Sequence, residues 1–126
     1  MIPVLKLEHS DKRGEIYSIA LDGDREMMLL FSKKGSVRGG HAHDVDEVVL
    51  VLSGMLKYTK RSDDTSERRH VLGSGAFIRH TAGEYHLAEF IEDTWLIEWK
   101  LNTTKHAWKN VNWPAYRELV NANASR

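Results

Sequence analysis

From Glu15 to Leu101 the chain is a succession of short apolar or alternating runs, each stopped within a few residues by Gly, Asp, Asn or Ser. That punctuation excludes a helical bundle and points to an all-β sandwich or barrel. It predicts about eight strands. They run Glu15 to Leu21, Arg25 to Phe31, Asp46 to Ser53, Met55 to Arg61, Arg68 to Leu72, Ala76 to Thr81, Glu84 to Ile91 and Thr94 to Leu101. Met27, Leu29 and Phe31 share one face of the second. Asp46 to Ser53 is a continuous aliphatic run, as expected of a central strand buried on both faces. Trp95, Ile97 and Trp99 alternate on one face of the last and are expected in the core. After Leu101 the pattern changes, and Pro114 is placed to open a short C-terminal helix on which Tyr116, Leu119 and Val120 share a face. The expected organisation is one domain over 1–126, with a barrel core from about 15 to 101 and a tail over 102–126.

Composition narrows the function. Lys plus Arg and Asp plus Glu both number 18, which removes the electrostatic basis for nucleic acid as a partner. No apolar run approaches the roughly 18 residues of a membrane span, and the N-terminus lacks a basic region leading into an apolar one. The expectations are a cytoplasmic protein, a small-molecule substrate, and a homodimer favoured by zero net charge and an apolar N-terminal strand. The absence of Cys fits a reducing compartment.

The chemistry is concentrated between Gly35 and Gly54. His41 and His43 stand at i and i+2 on a strand and so project from one face. Glu47 can close the set if a turn at Asp44 to Asp46 returns the chain, and Gly83-Glu84-Tyr85-His86 places a further imidazole at the start of an inward-facing strand. Such mixed N and O donors suit Fe(II), Mn, Ni, Cu or Zn rather than Ca or Mg. His80 ends an alternating strand that can direct it to the same cavity, whereas His9, His70 and His106 have no comparable context. Arg38 precedes Gly39-Gly40, which permits a bulge that would let it reach an anionic substrate.

The segment resembles the first cupin motif, with Gly35, His41, His43, Glu47 and Gly54 at its fixed positions, and Gly75, Gly83 and His86 match the second. Thr81 and Phe90 stand where the family usually has Pro and Asn. The resemblance implies a single-domain jelly-roll barrel and one divalent transition metal held by His41, His43, Glu47 and His86. Arg38-Gly39-Gly40-His41-Ala42-His43 is also similar to a stretch of the small cupins that isomerise nucleotide-linked deoxysugars. That group generally lacks the carboxylate and the later His, both present here. The function this implies is a metal-dependent isomerase, epimerase or lyase on a small oxygenated, carbohydrate-derived molecule, with His80, Tyr58 and Glu89 as proton carriers. The alternatives are an Fe(II)-dependent dioxygenase and a non-catalytic binding or sensor barrel.

Overall fold

The computed structural model describes residues 5–63, 66–104 and 107–124. It contains β1 (Leu5–Asp11), β2 (Gly14–Leu21), β3 (Arg25–Ser32), β4 (Val37–His43), β5 (Glu47–Ser53), β6 (Met55–Arg61), β7 (Arg68–Gly73), β8 (Phe77–His80), β9 (Tyr85–Phe90), β10 (Thr94–Lys100), β11 (Asn110–Asn112) and α1 (Pro114–Ala124). A six-stranded antiparallel sheet has the order β1-β2-β3-β10-β5-β8, and a five-stranded one the order β11-β4-β9-β6-β7. Strands close in sequence are thus shared out between two layers, which is how a jelly roll encloses its interior. None of the described helices is long and apolar enough to cross a membrane.

The core lies between the sheets, where Leu30, Val49, Val51, Leu56, Phe90 and Leu96 pack together. A second cluster lies outside the five-stranded sheet, where α1 covers Ala42 and Leu87 with Tyr116 and Val120. Pro114 opens α1, as its missing N–H and fixed φ favour. Leu119 is 54% exposed, because the helix turns only Tyr116 and Val120 squarely onto the sheet. Asn123 ties the helix to the start of β4, its Oδ1 accepting from the Val37 N–H at 2.9 Å and its Nδ2 donating to the Gly35 carbonyl at 3.0 Å.

Two expectations are corrected by the sheet order. β5 sits next to the edge strand β8 rather than centrally, and only Glu47, Val49 and Val51 are buried while Leu52 is 48% exposed. The Trp95, Ile97 and Trp99 stripe faces outward, because the intervening Thr94 and Leu96 fill the interior. Trp95 lies on Phe31, with ring centroids 4.9 Å apart. The register in fact aligns one apolar row across all six strands on the outer face, Leu7, Tyr17, Leu29, Ile97, Leu50 and Phe77.

The turn at Gly54 between β5 and β6 explains one of the motif glycines. Its φ is 103°, and a Cβ there would collide with the Asp93 carbonyl and Thr94 Oγ1.

Candidate metal centre

Four strands deliver the site. Donor atoms of His43 (β4), Glu47 (β5), His80 (β8) and His86 (β9) all lie within 4.8 Å of one another, and all four residues are buried. Register accounts for the convergence. Glu47 and His80 are direct cross-strand partners in one sheet, and His41 and His86 in the other, so facing strands point their imidazoles at each other across the lumen.

The network is held tightly. Glu47 Oε1 meets His80 Nε2 at 2.8 Å and lies 3.4 Å from His43 Nε2, while Oε2 accepts from Lys100 Nζ at 2.9 Å. Burial opposes ionisation of Glu47, yet the hydrogen bonds of His43 and His80 and the Lys100 charge outweigh it and hold its carboxyl well below the usual range. Lys100 is itself braced 3.8 Å over the Trp108 ring. His43 Nδ1 lies 2.5 Å from Asn110 Oδ1, an outer contact of the kind that fixes a ligand's tautomer and ring plane.

Three buried polar atoms have no partner among the described residues: His80 Nδ1, His86 Nδ1 and Tyr58 Oη. Unpaired buried nitrogens are costly unless something else occupies them. One donor atom from each of three imidazoles and one carboxylate, all within 4.8 Å of one another, is a set that fits a divalent transition metal. The rings are closely stacked, His80 on His86 at 4.2 Å and Tyr58 on His86 at 5.8 Å and 3°. Burial, then the neighbouring His80, pushes His86 well below its ordinary value, while burial and then Glu47 push the Tyr58 hydroxyl well above its own. At neutral pH His86 is an electron-pair donor and Tyr58 keeps its proton.

The converging group contains three of the four ligands expected from sequence and has His80 where His41 was expected. His41 remains alongside, its ring 4.9 Å from those of both His43 and His86, and burial, followed by His43, lowers it to about 4. It lines two cavities, of about 240 and 200 Å³, which have His41, Glu98 and Ile16 in common. Tyr58 borders the larger. Glu89 is not brought to the site. It lies on the opposite face of β9 from His86, paired with Lys57 at 3.3 Å and partly exposed. His9 pairs with Asp11 at the surface, His70 is exposed on β7, and His106 lies outside the described residues.

Sequence reasoning missed Glu98, Lys100, Trp108 and Asn110. The first two carried a signal, since charged side chains alternate with aromatic ones in Trp95-Leu96-Ile97-Glu98-Trp99-Lys100 and an enclosed charge in a strand marks a site. Trp108 and Asn110 come from an irregular tail and carried none.

No protein-family model and no curated protein sequence matches the chain. Several solved structures do. The capsular polysaccharide assembling protein CapF from Staphylococcus aureus superposes with a TM-score of 0.72 at 19% identity, covering 89% of this chain and 32% of that one. An oxalate decarboxylase from Lactobacillus farciminis, in a formate complex, gives 0.67 at 13% identity over 82% of this chain and 33% of that one. The cupin domain of Drosophila melanogaster CENP-C gives 0.64 at 17% identity, covering 76% and 74%. The present chain therefore spans about a third of the CapF and decarboxylase chains. Such distant likenesses speak to architecture, and in architecture they agree with the sheet order and the enclosed lumen: this chain folds as a cupin jelly roll.

Proposed function

We propose that the protein is a metal-dependent enzyme acting on a small oxygenated, carbohydrate-derived molecule by isomerisation, epimerisation or elimination. The observation that carries this is the convergence of His43, Glu47, His80 and His86 on one buried point beside two cavities. These residues would hold one divalent transition metal, which when bound supplies Lewis acidity to a substrate carbonyl or hydroxyl. The chain's own groups do the rest. Tyr58, protonated and unpartnered, presents an O–H to the larger cavity. His41, neutral in both cavities, can accept a proton from the carbon or oxygen next to the polarised group. Leu30, Phe90 and Leu96 exclude water from the larger cavity. The carbohydrate class draws support from the resemblance of Arg38 to His43 to deoxysugar isomerases and from the structural likeness to a polysaccharide-assembly protein.

A second reading is favoured by the Lys100 contact. A cation 2.9 Å from Glu47 Oε2 neutralises the carboxylate without a metal, as in a barrel that binds a ligand and performs no reaction. Metal analysis of protein purified without chelator separates the two. The enzyme reading expects about one equivalent per chain, a melting temperature that rises with added metal, and a gain in stability of ~2.7 kcal/mol at a hundredfold excess over Kd. It expects Glu47→Ala to abolish both. Metal-free protein whose melting is indifferent to transition metals overturns it.

The outer apolar row supports a further proposal, that two copies pair through the six-stranded sheet. Leu7 and Phe77 at its two ends are 52% and 69% exposed, and such a patch is more often covered than left to water.

A further inference from the structure

We infer that the larger of the two cavities beside the histidine cluster is an anion site in which Arg38 grips the carboxylate of a small hydroxy or keto acid. The inference names the substrate class of the site proposed above and rests on that proposal for the chemistry, though not for the grip itself.

The backbone is built to place this guanidinium inside. Along a regular strand Arg38 and His41, three residues apart, would face opposite ways. The register instead pairs Arg38 with Ala88, Gly39 with Leu87 and His41 with His86, slipping between Gly39 and His41. The slip is a bulge at Gly39-Gly40, with φ of +95° and +84°, and it turns both Arg38 and His41 toward the lumen. Only glycine fits the first position, where a Cβ would come 2.8 Å from the His86 carbonyl oxygen.

Arg38 so placed is 6% exposed. Nε donates to Ser32 Oγ at 2.8 Å and one terminal nitrogen to the Phe31 carbonyl at 3.3 Å. These contacts orient the plane and leave donors free. No carboxylate lies within ion-pair distance among the described residues. Asp11, the acidic side chain closest in effect, is engaged by Arg13 at 2.7 Å and by His9 at 2.9 Å. A buried cation without a counter-ion is destabilising, and a fold retains one where a ligand supplies the missing charge.

The cavity wall agrees. Arg13 and Arg117 line it with Arg38, and the sole carboxyl among its described lining residues is Glu98. Burial, then Glu47, pushes Glu98 up to about 8, so at neutral pH its charge is mostly absent. Arg38, lowered by burial and then by Arg13 to about 10, stays charged. Tyr58 and His86 form another part of the same wall. A ligand bridging them needs an anionic group for the guanidinium and a second oxygen for the histidine cluster. At about 240 Å³ the space is below the roughly 300–1,000 Å³ of pockets for drug-sized ligands, which favours a compact acid.

The test is calorimetric titration with D-glycerate and with glycerol, its uncharged counterpart, on metal-loaded and metal-stripped protein. Glycerate should bind and glycerol should not. Arg38→Met should weaken glycerate roughly tenfold to a hundredfold, the loss expected for a charge-assisted hydrogen bond, and Arg38→Lys less. Ser32→Ala keeps the charge but frees the guanidinium, and should weaken glycerate without unfolding the chain. Absence of glycerate binding, equal binding of glycerol, or unchanged affinity in both Arg38→Met and Ser32→Ala overturns the inference. If Arg38→Met fails to fold, Arg38→Lys and Ser32→Ala decide it. Binding by stripped protein that depends on Arg38 upholds the anion site even where metal analysis has refuted the metal centre.

Discussion

The two faces of the six-stranded sheet depart from the usual expectation of polarity, since the inner one holds charged and imidazole groups beside the apolar core of Leu30, Val49, Val51 and Leu96. The inner face carries Glu47, His80 and Glu98, while the outer face carries the row from Leu7 to Phe77. What distinguishes them is enclosure. Glu47 and His80 are completely buried, and every apolar member of the outer row keeps contact with water or lies at half burial. The inner charge of Glu47 survives because it is answered by Lys100 and two imidazoles. An outer apolar side chain survives because exposure of isolated apolar groups is ordinary, although a registered row of them is not.

Neighbouring residues on β10 give the sharpest way to break this comparison. Leu96 is 3% exposed in the core and Trp95, its outward neighbour, 38%. Leu96→Ala should destabilise by about 2–5 kcal/mol, read by denaturant unfolding, and Trp95→Ala by much less despite the larger side chain. Equal losses would mean that the outer face is itself a core.

A smaller effect follows from Glu98. The folded chain holds its proton up to about 8, the unfolded chain only to about 4.5, so the folded state binds more protons between these values and stability falls as pH rises through them. His41, lowered to about 4 from 6.5, acts oppositely, adding stability as pH rises toward 6.5. The window from 6.5 to 8 isolates the carboxyl. The melting temperature of metal-stripped protein should decline across it, and Glu98→Gln should remove the decline. A slope unchanged in that variant would place the titration elsewhere.

The smallest effect on the single chain is expected outside. Phe77→Ser should alter monomer stability by ~0.5 kcal/mol or less, yet convert a sedimenting dimer to monomer. A dimer that persists would move the pairing surface away from this face.

How much of this was readable in the sequence depends on whether a residue's role is local. His41 and His43 announce a shared face by spacing alone, the Asp44-Val45-Asp46 turn returns Glu47, and Gly83 marks the turn that returns His86. Alternation along its strand directs His80 toward the cavity, but its pairing with Glu47 depends on cross-strand register, which spacing does not reveal. Glu89 is three residues from His86 on one strand, so strand parity already assigns it to the other face. The Trp95 stripe misled because aromatic alternation marks a face without saying which side is enclosed. Glu98 and Lys100, on the other parity of the same strand, were the better indicator of the inside.

The scatter of the donors along the chain has a kinetic consequence. His43, Glu47, His80 and His86 arrive on four strands, and Asn110 reaches His43 from the last strand before the helix. No single hairpin contains the site, so it exists only once both sheets have closed around the lumen. Folding must meet the entropy of that closure before any ion can reward it. A metal bound there would act on the finished barrel and slow its opening, leaving the speed of its formation untouched.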